Sequence, residues 1–283
     1  MRRSYRKGLQ AALLHWRLVG LVFVISLCGG LAFMACAWVC LASVLDESLA
    51  TRTLSTSLDA NVLIDVTRHH ADALSMFALV GLVLAIAISL VWIGVNGVIL
   101  ATVSGRTESL TDTGRFGLAR YGLFAKLWIV AMSAHALAIG AAYIGGRLLI
   151  DLAADSDHEM TSYAIVGACV LSGMMAALIV ATIHDHARIR CLETGDAAWR
   201  AGLWASGYVL RERRALTLGL SFVGTALVGW AIYQLAGSFV SADSPFGLTI
   251  SLVWAQMFMA FRALLRVWAF AAATELQSGW ERS

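Results

Sequence analysis

Proline is almost missing from these 283 residues; Pro245 is the single one. Proline-rich linkers and proline-kinked helices are thereby excluded, so any unwound helix would have to arise at a glycine pair such as Gly29-Gly30 or Gly145-Gly146. Charge is scarce as well, at 14%, where a soluble domain carries roughly 25%. No acid lies well inside any long apolar run, which removes the group that a proton pump or ion-driven carrier ordinarily needs. There is no Walker A, GxSxG or HExxH pattern. The five cysteines, at 28, 36, 40, 169 and 191, include no CxxC pair. The first four fall in apolar stretches and read as small packing residues, not disulfide partners or metal ligands.

What fills the chain is apolar: 59% of residues are hydrophobic and the mean hydropathy is +0.76. Six stretches reach the roughly 20 residues a bilayer crossing needs. They run from about 18 to 45, 73 to 103, 122 to 150, 162 to 183, 215 to 240 and 246 to 270. The expectation is an all-α, polytopic membrane protein of six transmembrane helices, one integral membrane domain over 1–283. The N-terminal stretch "MRRSYRKGLQAALLHWR" has the basic flank of a signal peptide, and "ACA" at 35–37 resembles a cleavage site. The apolar run between them is too long for a normal signal, so it is expected to stay as a helix.

With the N-terminus inside, the inner segments take 18 of the 21 basic residues and the outer ones take ten acids, including Asp46, Glu47, Asp151 and Asp155. This is the positive-inside pattern, and both termini are expected on the cytoplasmic side. The basic inner face suits anionic lipid head groups and calls for no nucleic acid. The outer segment 46–72 has apolar residues at 54, 58, 62 and 66, the spacing of a short surface helix.

Two inner connections look alike. "LATVSGRTESLTDTGRFGLARYGLFAKLW" (100–128) and "VATIHDHARIRCLETGDAAWRAGLWASGYVL" (180–210) share Ala-Thr, a polar stretch, Thr-Gly, and an aromatic, glycine-bearing segment. Ala101-Thr102 maps onto Ala181-Thr182 and Thr113-Gly114 onto Thr194-Gly195. Spans two and three are thus a possible parallel repeat of spans four and five. Each segment after Thr-Gly reads as an amphipathic cytoplasmic interface helix, capped by Thr113 or Thr194, with Ala198, Trp199, Leu203 and Trp204 on one apolar stripe.

This layout, with the closing "WAQMFMAFRALLRVWAFAAATEL", resembles a broad group of bacterial six-helix membrane proteins of unassigned function, similar to the membrane domain fused to some glycerophosphodiester phosphodiesterases. The resemblance implies a helical scaffold without catalytic residues of its own.

His184, Asp185 and His186 form the most eye-catching cluster, yet residues two apart on a helix point about 200° from each other, so both histidines cannot bind one metal there. Asp185 is expected to pair with Arg188 at i, i+3 on the helix surface. His135, Gln256 and Asn96 are the candidate intramembrane polar site, since ionisable and amide groups in a span face other helices or a substrate path. Arg262 and Arg266, an i, i+4 pair near the inner end of span six, would reach lipid phosphates or meet Asp185 and Glu193. With Asp185, Arg188, Trp199 and Trp204 they are the candidate lipid or partner contacts. Ser221, Thr225 and Gly229 form a small-residue packing stripe. No cofactor is expected. The reading is a non-enzymatic accessory or scaffold subunit of a larger membrane complex, its inner helices touching lipid. The alternatives are a permease-type subunit for a small or lipidic substrate and, third, a membrane enzyme acting on lipid head groups.

Overall fold

The computed structural model describes residues 2–45, 71–105, 110–152, 159–239 and 244–281. Among them are nine α-helices and no strand: α1 (Arg2–Leu14), α2 (Trp16–Leu45), α3 (Ala71–Val103), α4 (Leu110–Ala119), α5 (Tyr121–Leu152), α6 (Glu159–Thr194), α7 (Ala198–Arg211), α8 (Arg213–Gly237) and α9 (Pro245–Glu281). Helices α2, α3, α5, α6, α8 and α9 are long and apolar enough to cross a membrane. This is an all-α, multi-pass membrane protein. The surface helix expected within 46–72 falls almost wholly outside the described residues.

Helices are the outcome because lipid offers backbone groups no partner, and an α-helix satisfies them internally. Hydroxyls inside the long helices are satisfied the same way. Thr102 donates to the Val98 carbonyl at 2.9 Å, Thr182 to Leu178 at 2.8 Å and Ser221 to Thr217 at 2.8 Å.

The chain divides into two compact units. In the unit formed by residues 21–92, α2 and α3 pack through small residues, with Gly29 against Ile88 and Gly81 against Phe33. The Phe33 ring meets Phe77 edge-on at 5.7 Å. The other unit comprises residues 1–20 and 93–283 and holds α1, α4 to α9 and the last turns of α3.

In this larger unit the core is displaced to one end. Buried residues gather at Ile93–Ala101 of α3, Phe124–Ala131 of α5, Thr182–Leu192 of α6, Ala201–Val209 of α7, Ala215–Phe222 of α8 and Ala263–Gln277 of α9. This is the end carrying the short helices, called here the basic end. By contrast the apolar windows of the six spans are only 0% to 17% buried, and large side chains such as Leu137, Leu171 and Leu227 stand open. In lipid no hydrophobic force drives helices together. Water at helix ends restores that force and favours a core there.

That core explains why several helices outrun the apolar stretches. α6 was expected to end near 183 and continues to Thr194, and α9 continues from 270 to Glu281. At 36 residues α6 is about 54 Å long, well beyond a 30 Å hydrocarbon layer.

The repeat is present as a layout but in a different register. In each copy a long helix stops at a glycine of positive φ, Gly105 at 65° and Gly195 at 75°, where the left-handed turn that ends a helix favours the residue without a Cβ. A short helix and a one-residue break follow, at Arg120 in one copy and Glu212 in the other. Thr113-Gly114 lies inside α4, whereas Thr194-Gly195 ends α6, so the pairing expected from sequence does not hold. Neither threonine caps as expected. Thr113 is buried within α4, and α7 starts at Ala197 with no side-chain cap.

α1 was not expected as a separate docked helix. It seats Ser4, Gly8 and Ala12 in the core, and a Cβ on Gly8 would meet the Ala272 backbone nitrogen at 2.7 Å. Tyr5 packs on Trp268 and Phe222 at 4.3 and 5.1 Å. Its carbonyl accepts from Trp268 Nε1 at 2.7 Å, its hydroxyl bonds Thr225 at 2.9 Å, and Lys7 pairs with Glu275. The stripe of α8 is used inside the protein: Thr225 against Tyr5, and Gly229 against the Phe261 ring.

Candidate functional site

The polar groups of the basic end are organised by α6. A helix turns about 100° per residue, so positions 184 and 188 share one face while 186, 190 and 193 share another. The structure fills the two faces with different chemistry.

On the first face Arg188 is 4% exposed and donates through Nη1 to Asp185 Oδ1 at 3.3 Å. Its Nε is buried without a partner, and so is Nε2 of His184, a residue only 9% exposed. The charges of Arg188 and Arg266 and the imidazole of His135 all act on His184. Arg266, on α9, donates to Asn96 Oδ1 from Nη2 at 2.9 Å and from Nε at 3.3 Å and stands 5.7 Å from the Phe270 ring. Asp185 and Arg262 lie within its electrostatic reach.

On the second face His186, 2% exposed, donates through Nδ1 to Gln277 Oε1 at 3.0 Å. Gln277 passes the chain on, donating Nε2 to Glu193 Oε2 at 3.1 Å. The His186 ring meets Tyr208 edge-on at 4.8 Å. Tyr208 stacks on Trp204 at 5.2 Å, and Trp280 closes on both at 5.1 and 5.9 Å. Arg190 lies 4.8 Å over Trp204 while holding Asp196 at 3.2 Å. Such edge-on and stacked contacts are each worth about 0.5–1.5 kcal/mol beyond burial.

A third link ties the two copies of the layout together. Arg120, in the break between α4 and α5, donates Nη1 to the carbonyls of Cys191 at 2.5 Å and Leu192 at 3.2 Å. These belong to the last turn of α6, where the helix dipole attracts positive charge; the Cys191 carbonyl also accepts from the Gly195 N–H at 3.1 Å. Beside this link, α1, α6 and α9 border a polar cleft of about 300 Å³ lined by Lys7, Ser104, Glu193, Thr274, Glu275 and Ser278.

Among the described residues, no hydrogen bond joins the three expected to form an intramembrane polar site. Asn96 is taken by Arg266. His135 donates Nδ1 to its own helix, at Ala131 O, 2.7 Å away, and neighbours His184. Gln256 is ten residues before Arg266 on α9, about 15 Å away along the axis, with Oε1 buried and unpartnered. Asp185 and Arg188 pair as expected. His184 and His186 are both buried, because neighbouring helices run alongside this part of α6. Their opposed directions follow the spacing argument. The expected α7 stripe is split: Trp199 and Leu203 are 63% and 67% exposed, whereas Trp204 turns into the aromatic cluster.

Sequence reasoning missed Gln277, Tyr208, Arg120 and the seat of α1. Of these only the last carried a signal, the small residues Ser4, Gly8 and Ala12 at four-residue intervals. Among the described residues no three His, Cys, Asp or Glu side chains come together as a metal-binding group. No family model matches the chain, and neither a curated protein nor a solved structure does.

Proposed function

We propose that this protein is a non-enzymatic scaffold or accessory subunit of a larger complex in the bacterial inner membrane, with the basic end and both termini in the cytoplasm and its inner helices against anionic lipid. One observation carries the reading: the spans leave most of their apolar surface uncovered while the basic end is packed and cross-linked by hydrogen bonds. A transporter gathers its spans around a polar path. Here polar groups condense at one end and the flanks are free for lipid or another subunit. The distribution of Lys and Arg supports the orientation. The layout resembling the membrane domain of some glycerophosphodiester phosphodiesterases agrees with a scaffold that leaves chemistry to a partner. Exposed Trp199 and Leu203 on α7 suit an interface helix lying on lipid.

The test is mild-detergent purification from native membranes with quantitative mass spectrometry. A second membrane protein at fixed stoichiometry is expected; a monodisperse monomer would overturn the proposal. A permease-type subunit is the second reading, favoured by the buried, unpartnered Oε1 of Gln256 within a span. It would be preferred if Gln256→Leu and His135→Leu kept expression and assembly but abolished uptake or efflux of a solute.

A further inference from the structure

Positive charge exceeds negative where α6, α9 and the end of α3 meet. Arg188, Arg266 and Arg262 lie within electrostatic reach of one another in sequence, and Asp185 is the carboxylate whose charge acts on both Arg188 and Arg266. Asn96, an acceptor for Arg266, is neutral. The cluster therefore keeps a surplus of positive charge in a setting poorer in water than bulk solvent, which is the condition for holding an anion.

A second, independent observation points the same way. Arg188 is almost fully buried, and although Nη1 reaches Asp185, its Nε has no partner. A guanidinium Nε–H is always a donor, and a buried donor left unpaired is costly. Beside it, buried Nε2 of His184 is equally unpartnered. His135 donates through Nδ1 to a backbone carbonyl, so its electrostatic influence on His184 brings no carboxylate to the cluster. Two unfilled polar positions beside surplus guanidinium charge ask for a ligand that is anionic and rich in acceptor oxygens.

We propose that this cluster binds a phosphate group, with Arg188 and Arg266 as the principal donors, His184 as a further contact and Arg262 at the rim. Arginine suits the task because its planar fork meets two phosphate oxygens at once. The side that would admit the ligand is open: Arg262 and Arg266 are exposed, and the Asp185 side chain is 44% exposed. Arg266 stands about 20 residues from the start of α9, one hydrocarbon thickness along it. This is the level of lipid phosphates, so the source favoured is an anionic phospholipid whose chains lie on the uncovered flanks. The inference rests on the reading that the basic end meets the inner leaflet.

The experiment uses the purified full chain in neutral detergent. Binding is measured by native mass spectrometry and by the thermal shift on adding phosphatidylglycerol, phosphatidic acid, phosphatidylcholine or inorganic phosphate. The anionic lipids are expected to bind in preference to phosphatidylcholine. Removing one guanidinium, in Arg266→Gln, is expected to weaken that binding about tenfold or more. Arg213→Gln, at an exposed position on α8, should leave it unchanged. Arg188→Lys, which keeps charge but loses the fork, tests the buried donor. Binding of inorganic phosphate with the same dependence on Arg266 would support the phosphate site and identify a soluble source. Equal binding of all lipids, or equal losses in Arg266→Gln and Arg213→Gln, would overturn the proposal. Because the assay reads the isolated chain, its failure is separate from failure to find a partner subunit.

Discussion

Replacing Gly8 by alanine adds one methyl group, at a position where the two helices leave no room for it. The added Cβ would lie 2.7 Å from the Ala272 nitrogen, 2.8 Å from its Cβ and 2.9 Å from its Cα. The nearest atoms are backbone of α9 and a side chain with no rotamer to change, so the helix as a whole has to move. Overpacking of this kind costs about 1–3 kcal/mol, while alanine returns about 1 kcal/mol of helix propensity to α1. The balance is a net loss that pushes α1 off α9, and the contacts of Tyr5 with Trp268, Phe222 and Thr225 are lost with it. Hydrogen exchange followed by mass spectrometry reads this directly, as faster exchange over residues 2–14 with the spans unchanged. Gly279→Ala is the matched control, since a Cβ there meets nothing within 4 Å. Equal protection of residues 2–14 in Gly8→Ala and in wild type would refute the close-approach argument.

Other perturbations probe the core from different sides. His186→Leu strands the buried Gln277 Oε1 and should destabilise by about 1–3 kcal/mol, with His186→Leu/Gln277→Leu recovering part of the loss in a denaturant titration. Arg120→Gln leaves the Cys191 and Leu192 carbonyls without their cation, and exchange should rise in the last turn of α6 but not at Leu178–Thr182. Asn96→Leu removes the acceptor of Arg266 and lowers the melting temperature; Asn96→Asp, which keeps an acceptor there, should not. Gly195→Ala forces a Cβ into a left-handed turn at a cost of about 1–2 kcal/mol, measurable as a lower unfolding midpoint.

The spans were legible in the sequence because lipid imposes one rule, an apolar helix of sufficient length, and hydropathy reads that rule directly. Their ends beside the short helices were not. "IHDHARIRCLET" is polar enough to suggest a helix leaving the protein for water, but hydropathy cannot distinguish water from a polar interior, and these residues fill two buried faces. The separation of His184 from His186 followed from helix geometry alone. The partner of His186, Gln277, comes from α9, 91 residues later; Arg266, whose charge acts on His184, lies on the same helix, and no local pattern announces either. Trp204 shows the same limit. It shares an apolar stripe with Trp199, and only the arrival of Tyr208 and Trp280 draws it inward.

The seat of α1 also sets an order of events during synthesis. Tyr5 and the Trp268 that it touches are 263 residues apart, so at 5–20 residues per second the first helix waits on the order of tens of seconds for its partner to be made. Throughout that interval its small-residue face lacks the α9 surface that it covers in the folded chain. The contacts of α1 can close only after α9 has been made, so a chain cut before α9 is expected to leave this helix undocked and open to proteases.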